Sequence, residues 1–287
     1  MIIRTIAMLL ALATPGMACA VETANVVPEM DRVIKDERPV DVILASREIQ
    51  TTVDIGRVAS SANGGGLIGA LIISATDDKR DRLTQTAKDQ AEATIRPLRE
   101  ALRGFDVDAL ALSTTKAALG KPDWFRPGAI NSITSATPST APTSASQSAT
   151  VVYRLETSPD FTQIRVIADL RLLKPQTSPA LFYRQQVSSI VVLQRPSLEP
   201  AENVAKWTAG DGQLAKSALT NAFARLEQLL PFALELKAAQ AKAIAAKERP
   251  RVFGAGYYGP MVERPGAAPG ETLLWKNGLI SVTQSAD

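Results

Sequence analysis

Ser113 and Lys116 stand three residues apart in Ser113-Thr114-Thr115-Lys116, a spacing that could support nucleophilic catalysis. A lysine beside a serine can take its proton without a histidine, as in the S-x-x-K serine enzymes. The companion motifs of that chemistry are out of place: Ser61-Ala62-Asn63 precedes the pair, and Lys276-Asn277-Gly278 reads as a hairpin turn. Composition removes most other options. The chain has no histidine, and its one cysteine, Cys19, is lost if the chain is cleaved after Ala20, so the commonest acid–base group, thiol nucleophile and transition-metal ligands would then all be missing. Asp77, Asp78 and Asp81 gather three carboxylates, but Lys79, Arg80 and Arg82 interleave with them as on a solvated, ion-paired helix face. No D-x-D-x-D-G calcium loop occurs, and no cofactor or metal is expected.

The run Gly64-Gly65-Gly66-Leu67-Ile68-Gly69-Ala70-Leu71-Ile72-Ile73 is the most unusual internal segment. A phosphate-cradling loop would need a Lys-Ser or Lys-Thr pair after the glycines, or a GxGxxG with its acidic partner, and neither is present. Gly65 and Gly69 do form a GxxxG, which lets helices approach closely in a membrane. Gly65, Leu67, Ile68, Gly69, Leu71 and Ile72 are therefore a candidate membrane or partner contact, although the run is only about half of the ~20 residues a span requires. The competing reading is a turn leading into a helix whose first turns are buried on every side.

Three arginines, Arg154, Arg165 and Arg171, project with Glu156 and Asp169 from the polar face of an expected hairpin. If Thr157 faces Thr162, Arg154 opposes Arg165, and opposed like charges cost stability unless an anionic partner or a diagonal Glu156 neutralises them. Trp124, Trp207 and Trp275 each sit at an element end, where a large ring either plugs the core or anchors a partner.

The first residues address location. Arg4, the apolar stretch from Ile6 to Ala13, the breakers Pro15 and Gly16, and Ala18-Cys19-Ala20 form the pattern of a secretory signal peptide with cleavage before Val21. An exported, periplasmic protein without cysteine is expected. The alternative is a lipid anchor on Cys19, although Gly16 stands where a lipobox usually carries leucine. Net charge is only +3, with no basic block, so no nucleic-acid partner is expected. Membrane association is open, but not through a transmembrane helix in the mature chain, which has no apolar run of sufficient length.

These residues must be positioned by elements that the periodicity marks out. Alternation predicts strands between Val40 and Ile55; apolar spacing of three and four predicts an amphipathic helix from Leu67 to about Arg103, kinked at Pro97. A shorter helix over Val107–Leu119 ends at Gly120. Asn131 to Thr150 is Ser, Thr, Ala and Pro without charge, the composition of a linker or disordered insertion. Strands follow on both sides of Ser158-Pro159-Asp160-Phe161 and from Leu181 to Leu193. Pro200 opens a helix through Trp207, Asp211 caps a longer one with Pro231 as a kink, and Asn277-Gly278 marks a hairpin.

The expected organisation is a signal peptide (1–20), a strand pair plus long helix (21–130), the linker (131–150), an antiparallel three-stranded sheet plus long helix (151–249) and a Gly/Pro-rich tail with a hairpin (250–287). The expected fold class is α+β, with small antiparallel sheets packed against two long kinked amphipathic helices. The expected function is non-enzymatic: binding or assembly in the cell envelope, with an envelope protein or an anionic envelope component as partner. A histidine-free serine hydrolase acting on cell-wall material, and a peripheral membrane protein using the glycine segment, are the alternatives.

Overall fold

Alternation along Val151, Tyr153 and Leu155 turns one set of side chains inward and the next outward, and β4 (Ser148–Thr157) keeps this alternation along its length. The computed structural model describes residues 26–32, 37–52, 77–133, 147–174, 180–247, 251–252, 256–264, 266–267, 270–275 and 278–285. The other strands of this sheet are β1 (Arg38–Leu44), β2 (Gln50–Thr51), β3 (Pro127–Ile133), β5 (Gln163–Lys174), β6 (Ala180–Val192), β9 (Thr272–Trp275) and β10 (Leu279–Gln284). They form one eight-stranded sheet in the order β3-β1-β4-β5-β6-β10-β9, with β2 also on β4. β4, β5 and β6 are antiparallel neighbours, and so are β9 and β10, whereas β1 runs parallel to β3 and β4 and β10 runs parallel to β6. A separate two-stranded ribbon joins β7 (Arg251–Val252) to β8 (Tyr258–Gly259).

This corrects the expected fold class of small antiparallel sheets on two long kinked helices. The sheet is mixed, and among the described residues four α-helices accompany it: α1 (Asp77–Ala101), α2 (Val107–Leu119), α3 (Pro200–Glu235) and α4 (Ala238–Ala245). A period of two reports which face a residue occupies and is silent about which strand lies beside it. The parallel pairs join strands separated by helices or by long stretches of chain, where no turn motif signals the pairing.

The hairpin register also differs from expectation. Thr157 faces Ile164, Glu156 faces Arg165 and Arg154 faces Ile167, two residues away from the pairing that opposed Arg154 to Arg165. The cause lies in the turn. The Asp160 carboxylate accepts from Ser158 Oγ, Thr162 Oγ1 and Thr162 N, Ser158 N reaches Gln163 O, and Phe161 takes a left-handed φ of 55°. The connection is thereby widened, and a shift of two leaves every side chain on its expected face.

The helices cover the face that carries Tyr153, Val166, Leu170 and Val187. Tyr153 packs on Phe223 of α3 with ring centroids 5.5 Å apart and bonds Thr115 of α2 at 2.8 Å. At the start of α2, Asp106 accepts from Ala109 N. At the end of α3, Arg32 donates to Leu236 O at 2.8 Å and Glu235 O at 3.4 Å, satisfying carbonyls that the helix leaves open. α3 is broken from Ala209 to Gly212, where Gly210, Asp211 and Gly212 have φ of 58°, 58° and 71°. On the opposite face of the sheet, Tyr257 and Met261 of the C-terminal segment pack on Ile190, Leu274 and Ile280.

The expected tract 131–150 is strand at both ends, since β3 extends to Ile133 and β4 begins at Ser148. The leader with Cys19, and the glycine segment with Gly65, Leu67, Ile68, Gly69, Leu71 and Ile72, lie outside the described residues.

Candidate functional site

A cleft of about 600 Å³ opens where the end of α1, the start of α2 and the connection between β1 and β2 converge. Its floor is apolar: Ile49, Leu102, Phe105, Val107, Leu155 and Leu219. Leu155 comes from the inner face of β4 and Leu219 from the buried side of α3, so the sheet and the longest helix hold the floor in place. A volume of this size, with an apolar floor beneath a charged rim, suits a small ligand.

The rim carries charges of both signs, and their pairing decides what is left for a ligand. Asp108 pairs with Arg47 at 2.8 Å, and Glu100 with Arg103 at 2.8 Å. Glu48 lies 3.6 Å from Arg99, which also binds Glu92 and donates to Ile49 O at 3.0 Å, tying the connection after β1 to α1. The charged hydrogen bond from Arg99, together with its charge, holds the Glu92 carboxyl below the usual carboxylate range. Asp106 is occupied as the cap of α2. Every described carboxylate of the lining is thus engaged, and Arg96 is the lining charge that has no partner among the described residues. None of the described lining residues carries a hydroxyl, thiol or amine, so the nucleophilic groups among them are the carboxylates of Glu48, Glu100, Asp106 and Asp108, each already engaged.

Sequence reasoning missed these residues because they resembled an ordinary solvated face. The available signal was spacing: Arg96 and Arg99 are three residues apart in the last turns of α1, and Arg103 follows in the turn just beyond its end at Ala101.

The arginines that the sequence did single out lie on the sheet face away from the helices. Arg154 pairs with Glu156 at 3.6 Å. Arg165 donates twice to Gln163 Oε1 and lies 5.5 Å from the ring centre of Tyr257. The opposed like charges are in fact Arg171 and Arg184, paired across β5 and β6. Asp169, with its side chain 5% exposed, accepts from both. Burial pushes its carboxyl up, but the hydrogen bonds and charges of Arg184 and Arg171 outweigh this and hold it below the usual range. The neutralising group is therefore internal.

Ser113 and Lys116 are both exposed on α2, and the serine hydroxyl donates to Leu110 O of its own helix at 3.1 Å. Trp124 and Trp207 are buried, Trp207 donating to Phe161 O at 2.7 Å, while Trp275 is half-buried. Among the described residues no cluster of His, Cys, Asp and Glu could hold a metal ion. No described helix is long and apolar enough to cross a membrane. Comparisons with protein-family models, with curated proteins and with solved structures find no match to this chain.

Proposed function

We propose that the protein is an exported, non-enzymatic binding protein of the cell envelope, and that the cleft between α1, α2 and the β1–β2 connection is its ligand site. One observation carries the binding reading: an apolar floor beneath a rim whose carboxylates are all engaged, leaving Arg96 to meet a ligand's charge. The ligand is a compact molecule with an apolar body and one anionic group. Export is supported by the charged, apolar and small-residue pattern that ends at Ala20.

Titration with 1-naphthalenesulfonate, a compact aromatic anion, tests the site. Single-site binding weakened at least tenfold by Arg96→Glu is expected; binding indifferent to that change would overturn the assignment. A fluorophosphonate probe should leave Ser113 unlabelled, and labelling there would instead make the protein a serine enzyme. The intact mass of the purified mature chain should begin at Val21. An acylated Cys19 would replace the soluble periplasmic reading with a lipid-anchored one.

A further inference from the structure

A second cleft, of about 760 Å³, lies beside the break in α3, between the end of β6 and the two halves of that helix. The break makes the room. At Gly210 an added methyl group would meet nothing within 4 Å, so the missing side chain leaves open space at the cleft wall. Ala209, exposed, and Leu214, half-buried, give an apolar surface, with Leu193 buried beneath it at the end of β6.

The charge of this cleft has one sign. Arg195 and Lys206 line it, and no carboxylate is among its described lining residues. Lys206 Nζ donates to the Arg195 carbonyl oxygen, a neutral acceptor that leaves the ammonium charge uncompensated. The Arg195 guanidinium has no partner among the described residues. Asp211, the acid within the break, is turned to Lys216 at 3.1 Å. The wall is also braced: Asn203 binds Ser197 N and O and Asp160 O, and Trp207 binds Phe161 O, so the start of α3 is fixed to the β4–β5 turn and to the connection carrying Arg195.

We infer that this cleft binds a single-chain anionic amphiphile, with its head on Arg195 and Lys206 and its alkyl chain along Ala209 and Leu214. Two unneutralised cations beside an apolar surface favour a molecule that brings one negative group and a hydrophobic tail together, and disfavour a cation or a bare headgroup. The occupant is a monomeric molecule in the cleft, not a bilayer.

Calorimetric titration of the mature chain with decanoate and decyl sulfate, below their micelle concentrations, tests the inference. One-site binding is expected, with at least tenfold weaker or no binding of decyltrimethylammonium and of inorganic phosphate. Arg195→Glu/Lys206→Glu should weaken decanoate at least tenfold, and both side chains are exposed, so the fold should survive, as an unchanged melting temperature would verify. Arg96→Glu should leave decanoate binding unchanged. Equal affinity for the cationic chain, or affinity that survives the double reversal, would overturn the inference, as would association only with anionic vesicles. Loss of decanoate binding in Arg96→Glu alone would place the amphiphile in the first cleft, overturning this assignment while leaving the proposed function standing.

Discussion

Asp169 shows how a single side chain settles a conflict written into the strands. Arg171 and Arg184 face each other across β5 and β6, an arrangement that costs stability when nothing lies between them. The carboxylate between them accepts from both. Asp169→Asn should therefore cost about 2 kcal/mol at pH 7, the scale of hydrogen bonds to charged groups, reduced by the partial exposure of the two arginines. The sign of its pH dependence follows from the depressed carboxyl. The contribution is complete above the unfolded value of about 3.9 and fades as pH falls through the lower folded value. Urea midpoints should thus differ between wild type and Asp169→Asn at neutral pH and converge well below pH 4; a gap that persists in acid would show that packing, not charge, is responsible. From sequence the arginines were legible as a polar face, because alternation assigns faces. Which two stood opposed was not: the Asp160-centred turn moved the β4–β5 register by two, parting Arg154 from Arg165 without moving any residue to the other face, and the Arg171–Arg184 pair belongs to the separate register of β5 and β6.

The long helix α3 shows what an interruption can position. Gly212 stands where a Cβ would come within 2.9 Å of Ala101 Cβ and 3.2 Å of its carbonyl oxygen, so the end of α1 is packed onto the break. Gly210, two residues earlier, has a similar left-handed φ and no such neighbour. Comparing the two alanine variants separates backbone conformation from contact. Gly210→Ala should cost about 1 kcal/mol, the penalty of a left-handed position, whereas Gly212→Ala adds the overlap with Ala101, about 1–3 kcal/mol more. Thermal or urea unfolding of both proteins measures the difference, and equal losses would mean that Ala101 yields without cost. Local signals were well expressed at this scale. Asp106 and Gly120 bracket α2 and Pro200 opens α3, but Asp211, expected as the cap of a second helix, lies within the break at a left-handed φ of 58° with its side chain on Lys216. The cleft residues were harder to read, since Arg47, Arg96 and Phe105 come from separate elements that only the assembled fold brings to one mouth.

Across the whole molecule, the parallel partnership of β1 with β4 joins residues from either side of 134–146 into one sheet, and the buried core follows it. Ile95, Leu98 and Leu119 from before that tract share a single cluster with Tyr153, Leu170, Phe223 and Leu229 from after it. Helical and strand periods revealed each of these faces separately, but their common core depends on parallel crossovers, which carry no short-range turn signal. A covalent connection through 134–146 is then not what holds the two parts together. If a site-specific protease sequence is inserted at about residue 140 and cut in the folded protein, the fragments should co-elute under native conditions. They should unfold in one transition and separate only in denaturant, because parting them would expose the inner faces of β1 and β4 and the contacts of α1 and α2 with α3. Separation of the fragments in native buffer, or two independent transitions before cutting, would mean that β1 and β4 belong to units stable without each other and that the shared cluster contributes little to cohesion.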